Sequence, residues 1–138
     1  MESHFVSTFF GAGMAASSTI GEHKVQIDNT LDNGGTNTGP GPKRLMLTSL
    51  AGCTGIDIVS ILHKMKVEFS DLSIDTEATL SDDHPKIYNH VKIIYKIKLA
   101  EADQSKMEKA VTLSADKYCG VMAMFRSFAT IESSIVYL

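Results

Sequence analysis

The sequence has little cysteine and no excess of positive charge. Two cysteines in 138 residues are too few for the disulfide framework that supports small secreted domains. The 13 Lys and Arg residues are outnumbered by 16 Asp and Glu residues, and no basic run occurs, so nothing favours a nucleic-acid partner. With 43% hydrophobic and 21% charged residues, the composition is that of a globular chain rather than a disordered one.

The N-terminal region lacks the features of a targeting or membrane-spanning segment. Its apolar stretch, residues 5–16, is interrupted by Ser, Thr and Gly and is much shorter than the roughly 20 apolar residues of a spanning helix. No Lys or Arg precedes this stretch, unlike the start of a signal peptide. We therefore expect a cytoplasmic protein without a membrane partner, in which the two thiols do something other than staple the fold.

Length and hydrophobic patterning predict one α+β domain over residues 1–138. Alternating apolar and polar residues predict strands, and longer apolar stretches predict helices. The predicted order begins with an N-terminal β-meander through residue 28 and a Gly- and Pro-rich loop at 29–42. A long helix at 45–65, buried on most sides, follows, and then a β-hairpin of strands 67–80 and 91–99 with a turn at 82–85. The last predicted elements are two helices at 105–113 and 114–130 and a strand at 131–138.

Residues 11–16 match the glycine fingerprint of dinucleotide-binding proteins. That fingerprint works only where a strand, a tight turn and a helix follow one another. Here the next residues, 17–21, are Ser, Ser, Thr, Ile and Gly, which disfavour a helix. The pattern therefore predicts a hairpin turn rather than a nucleotide site.

The first cysteine, Cys53, lies between two glycines in an otherwise helix-forming segment. Gly52 and Gly55 predict a break in the helix, and Thr54 with Asp57 fits the capping pattern of a new helix start. Cys53 would then lie at a helix N-terminus, where free N–H groups and the helix dipole stabilise a thiolate. The alternative is an inert, buried thiol that acts as a small hydrophobic residue.

The second cysteine, Cys119, has a similar context. A helix that starts at Ser114 would place Cys119 one turn inside it, beside Gly120. The same two interpretations, a reactive thiol and a buried structural one, apply here. The five histidines show no metal-ligand spacing with each other or with the cysteines, so we expect no metal site and no cofactor.

Four short segments resemble the OsmC/Ohr family. They are Gly-Pro at 41–42, Leu-Met-Leu at 45–47, Leu-Ala-Gly-Cys-Thr at 50–54 and Lys-Tyr-Cys-Gly-Val at 117–121. Residues 55–62 and 113–119 are most similar to its YhfA-like branch. The resemblance implies an α+β fold assembled as an intertwined homodimer, with two sites at the subunit interface.

The resemblance also implies thiol-dependent reduction of organic hydroperoxides in a stress response. Cys53 would be the peroxidatic thiolate, which becomes a sulfenic acid, and Cys119 the resolving thiol, which condenses with it to a disulfide. A dithiol reductant would restore both thiols.

Two positions depart from the family pattern. Better-characterised members hold the thiolate with an Arg from the N-terminal strands, and a Glu ten residues before the cysteine orients that Arg. Here no Arg precedes Arg44, and Lys43 stands at the Glu position. Lys43 and Arg44 are therefore the candidate thiolate-stabilising cations, or else they are solvated residues of the first helical turn.

Two other functions are compatible with the same residues. The first is a non-catalytic binding protein, which would hold a small apolar ligand in an interface pocket lined by Met46, Met65, Met122 and Phe125. The second is a redox switch, which forms the disulfide once per site without turnover.

Overall fold

A computed structural model of the protein describes all residues from Met1 to Leu138. The chain forms two compact units, Met1–Met46 and Leu47–Leu138. A single domain over residues 1–138 stays a prediction.

The first unit contains the predicted β-meander. Strands β1 (Ser7–Phe10), β2 (Ala16–Ile20) and β3 (His23–Ile27) pair antiparallel in that order. Gly13 has a φ of +88° in the turn between β1 and β2, a backbone conformation that glycine adopts without strain. The glycine fingerprint thus forms a hairpin turn, and no helix follows it, as predicted.

A buried carboxylate organises the loop after β3. Asp28 accepts hydrogen bonds from the backbone N–H and the hydroxyl of Thr36 (3.2 and 2.7 Å) and from the same groups of Thr38 (2.9 and 2.7 Å). A fifth comes from the N–H of Asn29 at 2.7 Å. The Thr36 hydroxyl has the largest effect, and together these donors hold the pKa of Asp28 well below its usual range. This role of Asp28 was not predicted from the sequence.

Helix α1 (Pro42–Lys64) runs without interruption, so the predicted break near Gly52 is wrong. Leu50, Thr54, Ile58 and Leu62, spaced four residues apart, form its buried face. A Cβ atom added at Gly55 would lie 3.0 Å from Cδ1 of Ile74, so glycine allows close approach of α1 to that strand residue. Packing along one face therefore outweighs the roughly 1 kcal/mol that each glycine costs a helix.

Away from this face, the residues of α1 are half-buried or exposed. Ile56 keeps 73% of its surface exposed. Full burial, predicted for most sides of this helix, is thus found on one face only. By length and composition α1 is also apolar enough to cross a membrane, which is weak evidence because core helices of soluble proteins meet the same criterion.

The second unit is built on one sheet of three strands in the order β4 (Phe69–Leu80), β5 (Tyr88–Leu99) and β6 (Thr130–Tyr137). The first two form the predicted antiparallel hairpin, and β6 pairs parallel to β5. Alternate residues of β5 have no exposed surface and form the centre of the core: Val91, Ile93, Tyr95 and Ile97.

The crossover from β5 to β6 differs from the prediction in its second half. Helix α2 (Gln104–Leu113) agrees with the predicted helix, but a π-helical turn at Ser114–Tyr118 follows it. The next helix, α3, covers only Gly120–Arg126. The predicted single helix over 114–130 is wrong because the backbone at Cys119 is extended (φ −80°, ψ 101°), which separates the two helical segments.

Candidate functional site

Cys53 lies in the interior of α1 rather than at a helix start. The prediction that it occupies a helix N-terminus is therefore wrong, because the helix is continuous through Gly52 and Thr54. The N–H groups near Cys53 are engaged within the helix, so the helix dipole gives no local stabilisation of a thiolate here. Its side chain is half-buried and is a free thiol.

Cys119 is the N-cap residue of α3, not a residue one turn inside a helix. Its Sγ accepts a hydrogen bond from the N–H of Met122 at 3.3 Å. Its own N–H donates to the carbonyl oxygen of Ser114 at 2.8 Å. Only 4% of its surface is exposed. The π-helical turn thus delivers Cys119 into the core as a buried thiol.

The structure brings the two cysteines together with a carboxylate. The Sγ atoms of Cys53 and Cys119 and a carboxylate oxygen of Asp57 all lie within 4.8 Å of one another. Asp57 is one helical turn after Cys53, so both side chains project from the same face of α1. Asp57 was not predicted at this site, because the capping pattern placed it at a helix start that does not exist.

A chain of buried hydroxyl groups ends at the Asp57 carboxylate. Ser114 Oγ donates to Asp57 Oδ2 at 2.9 Å, and Thr54 Oγ1 lies 2.7 Å from Ser114 Oγ and 3.0 Å from the hydroxyl of Tyr95. Each hydroxyl has one hydrogen. Because Ser114 uses its hydrogen on Asp57, it accepts from Thr54, and Thr54 in turn accepts from Tyr95. The three hydroxyls have no exposed surface, so this chain holds the carboxylate rigidly.

The surroundings of Cys119 favour the neutral thiol. Burial has the largest effect and raises its pKa to about 12, and the neighbouring Cys53 thiol and Asp57 carboxylate add to the rise. The N–H of Met122 opposes the rise. Burial likewise raises the pKa of Tyr95, which keeps its hydroxyl protonated as the first donor of the chain. At neutral pH Cys119 is therefore a thiol that needs a base before it can act as a nucleophile.

Lys43 and Arg44, the candidate cations, occupy the first turn of α1. They precede Cys53 by ten and nine positions in the sequence. One turn holds 3.6 residues, so neither lies in the helical turns next to Cys53. Their role as thiolate-stabilising cations stays a prediction.

Two cavities border α1 in the second unit. The smaller, about 370 Å³, is lined by Asp57, Lys64 and Tyr118 together with apolar side chains that include Met65. The larger is a groove of about 1010 Å³ along a face rich in small residues. Its helix side is lined by Thr48, Ala51, Gly52, Gly55, Ile56, Val59, Ser60, His63 and Lys64. The smaller cavity thus gives a route from solvent to the carboxylate of the site.

Two of the four residues proposed for a ligand pocket belong to the core. Met122 and Phe125 are each 1% exposed and line neither cavity.

The two thiols and the carboxylate are also atoms that a zinc ion accepts as ligands. The carboxylate is already bound by Ser114 and the Cys119 sulfur by Met122. A pair of free thiols beside a carboxylate is equally the composition of a redox site. The absence of a metal stays a prediction.

Residues 35–134 match the family described as OsmC-like protein. The chain belongs to the OsmC family. Among its curated relatives is Protein YhfA of Escherichia coli K12, which is 27% identical over 115 residues, or 83% of this chain and 86% of the relative. The predicted family is therefore confirmed.

Solved structures agree with this assignment. A hypothetical protein from Aquifex aeolicus is 27% identical and superimposes with a TM-score of 0.81 over 100% of this chain and 99% of its own. An organic hydroperoxide resistance protein OsmC from Legionella pneumophila, 17% identical, superimposes with a TM-score of 0.68 over 99% and 98% of the two chains. The α+β fold of OsmC-like proteins is thus confirmed, and the second likeness extends to the fold alone.

Proposed function

We propose that this OsmC-like protein is a cytoplasmic thiol peroxidase that reduces organic hydroperoxides. The observation that carries the proposal is the convergence of Cys53 and Cys119, whose sulfurs and the Asp57 carboxylate lie within 4.8 Å of one another. The solved hydroperoxide resistance protein with the same fold supports the choice of substrate class. No cofactor takes part in the proposed reaction.

The reaction has three steps. The Cys53 thiolate attacks the distal oxygen of the peroxide, so that an S–O bond forms, the O–O bond breaks, and the alkoxide takes up a proton and leaves as an alcohol. The Cys119 sulfur then attacks the Cys53 sulfenic acid, which gives a disulfide and water. A dithiol reductant finally exchanges with this disulfide and becomes a disulfide itself.

The different exposure of the two thiols supports this order. Cys53 is half-buried, whereas Cys119 is 4% exposed and its pKa is raised to about 12. A buried neutral thiol is a poor nucleophile toward a peroxide from solvent but is well placed to attack a neighbouring sulfenic acid. Cys53 therefore reacts first in the proposal, and Lys43 and Arg44 are kept as candidate cations for its thiolate in the assembled protein.

We further propose that the protein is a homodimer through the exposed face of α1. The groove beside this helix is lined by small and apolar residues, among them Gly52, Gly55 and Val59, and Ile56 is 73% exposed. An apolar groove of about 1010 Å³ suits an apolar partner, and small residues allow two helices to pack closely. A second copy of α1 satisfies both requirements.

The deciding test of peroxidase activity is Cys53→Ser. The parent should consume cumene hydroperoxide over many turnovers with a dithiol reductant, faster than it consumes hydrogen peroxide. The Cys53→Ser variant should lose this activity completely, and Cys119→Ser should retain the first oxidation but form no internal disulfide. Equal peroxide consumption by parent and Cys53→Ser would overturn the proposal.

The dimer is tested with Ile56→Glu, which places a charge in the proposed interface. Light scattering should give twice the chain mass for the parent and the chain mass for the variant. Glu77→Gln on β4 is the control substitution, at an exposed position that does not line the groove. A parent that is monomeric would contradict the proposed dimer.

A redox switch is the second candidate. The pKa of Cys119 is raised, and the Asp57 carboxylate lies beside the thiols. No Lys or Arg is among the groups with the largest effects on the pKa of Cys119, so we expect the thiols to react slowly. In that case the protein would be oxidised once per site by the hydroperoxide and would not turn over with a dithiol. The same assay therefore separates the enzyme from the switch.

A further inference from the structure

We propose that the Asp57 carboxylate carries the proton during disulfide formation, by taking it from the Cys119 thiol and giving it to the hydroxide that leaves the Cys53 sulfenic acid. This inference rests on the proposed function for the sulfenic acid, but it applies equally to an enzyme and to a switch. It assigns a catalytic role to Asp57 and positioning roles to Ser114, Thr54 and Tyr95.

The geometry places Asp57 beside both of the sulfurs that it would serve. One of its carboxylate oxygens lies within 4.8 Å of both Sγ atoms, a distance that one water molecule can bridge. Asp57 also lines the smaller cavity, so the water released by the reaction has an exit. Of the roughly four acceptor sites on a carboxylate, Ser114 takes one, which leaves room for a thiol proton.

The resolving step needs a base that the other groups around Cys119 do not supply. The ionisable groups that face it are Cys53 and Asp57 from α1 and Tyr95 from β5. Cys53 is the electrophile in this step, and Tyr95 is a buried protonated donor. Arg126 of α3 acts on Tyr95 and has no proton to accept. Asp57 is therefore the remaining base.

The step balances without a further reactant. The Cys119 S–H bond breaks and its proton moves to Asp57, while the Cys119 electron pair forms the S–S bond and the S–O bond of the sulfenic acid breaks. The departing hydroxide receives the proton from Asp57 and leaves as water. The Cys119 sulfur is oxidised, the Cys53 sulfur is reduced, and Asp57 ends as it began.

The test compares the parent with Asp57→Asn, which keeps the shape of the side chain and an oxygen for Ser114. Reduced protein is mixed with one equivalent of cumene hydroperoxide and quenched at intervals, and intact mass measures the dimedone adduct of the sulfenic acid and the disulfide. Sulfenic acid should still form, and its conversion to the disulfide should be about 100-fold slower than in the parent. Asp57→Glu should recover most of the loss. A parental rate of disulfide formation in Asp57→Asn would overturn the proposal.

A pH profile separates proton transfer from a structural effect. In Asp57→Asn the reaction depends on spontaneous ionisation of Cys119, whose pKa is about 12 in the parent. Its rate should therefore rise about tenfold per pH unit above neutrality, whereas the parental rate should rise less. Parallel profiles in the two proteins would contradict the role as proton carrier.

A second arm avoids the peroxide, so that failure of the proposed function does not hide the result. Cys53 is converted to its mixed disulfide with thionitrobenzoate, and attack by Cys119 releases the coloured thiolate. Release should be about 100-fold slower in Asp57→Asn and parental in Asp75→Asn, a control carboxylate that pairs with Lys96 on the sheet. Slow release in Asp57→Asn, together with no sulfenic acid in the parent, would support Asp57 as the proton carrier and reject the proposed peroxidase activity. Equal release in all three proteins would reject the carrier.

Discussion

Asp28 and Asp57 are both aspartates held by hydroxyl groups, one in each compact unit, yet their surroundings differ in kind. Asp28 accepts five hydrogen bonds, four of them from Thr36 and Thr38. Asp57 accepts one from Ser114 and otherwise faces two thiols. A carboxylate whose acceptor sites are filled by its own loop stabilises that loop, whereas one with free acceptor sites beside reactive groups is available for chemistry. Counting donors therefore distinguishes a structural acid from a candidate functional one.

Removal of the Ser114 hydroxyl should bring the largest effect after loss of Asp57 itself. Ser114→Ala leaves the Asp57 carboxylate unanchored and the Thr54 hydroxyl without its acceptor. Disulfide formation should slow about tenfold, and the free energy of unfolding should fall by about 1 to 3 kcal/mol. Rapid-quench mass analysis and urea unfolding measure the two effects. Ser134→Ala, an exposed position on β6, is the control. If Ser114→Ala lowers the free energy of unfolding but leaves the rate of disulfide formation unchanged, the role of Ser114 is structural. The surroundings of Asp57 would then resemble those of Asp28 more closely.

Loss of the Asp28 charge should open its loop. Asp28→Asn removes acceptor capacity from five donors, so we expect thermolysin to cut the Thr30–Leu31 bond several-fold faster than in the parent, with Leu31 70% exposed. Fragment masses identify the bond. Asp57→Asn should be cut at the parental rate. Equal protection of this bond in Asp28→Asn and the parent would show that the donors are not what orders the loop.

The smallest expected effect is a dependence of stability on acidity. The pKa of Asp28 is lowered from 3.8 in the folded protein, so the unfolded chain binds its proton more readily. The contribution of Asp28 is therefore complete above about pH 5 and decreases as the pH falls below about 4. Urea unfolding at about pH 5 and about pH 3 measures how much the free energy of unfolding falls between the two pH values. The fall should be smaller in Asp28→Asn than in the parent. An equal fall in both proteins would show that Asp28 does not contribute to the pH dependence of stability.

The sequence predicted most elements because their patterns are local. The strands of the meander and the hairpin and the turn at 82–85 follow from alternation and from turn residues. The parallel pairing of β6 with β5 depends on the path of the crossover, which no local pattern records. The errors at Gly52 and at 114–130 have the same origin, because burial of one face of α1 and the extended backbone at Cys119 are tertiary effects.

The two cysteines of the candidate site could be predicted from the sequence, but their proximity to each other and to Asp57 could not. Cys53 and Cys119 were singled out by their glycine neighbours and by the family resemblance, while their convergence depends on the π-helical turn. Asp57 was visible in the sequence, and its position one helical turn after Cys53 would have placed both on one face had the helix been taken as continuous. The missed signal is thus a spacing of four residues within α1.

The separation of the two cysteines along the chain gives their pairing a thermodynamic consequence. A bond between them would close a ring that contains β4, β5 and α2. In the chain-entropy account, a ring of this length restricts the unfolded ensemble enough to stabilise the native state by roughly 4 kcal/mol. Oxidation to the disulfide would thus raise the melting temperature, and reduction of the disulfide would reverse this rise.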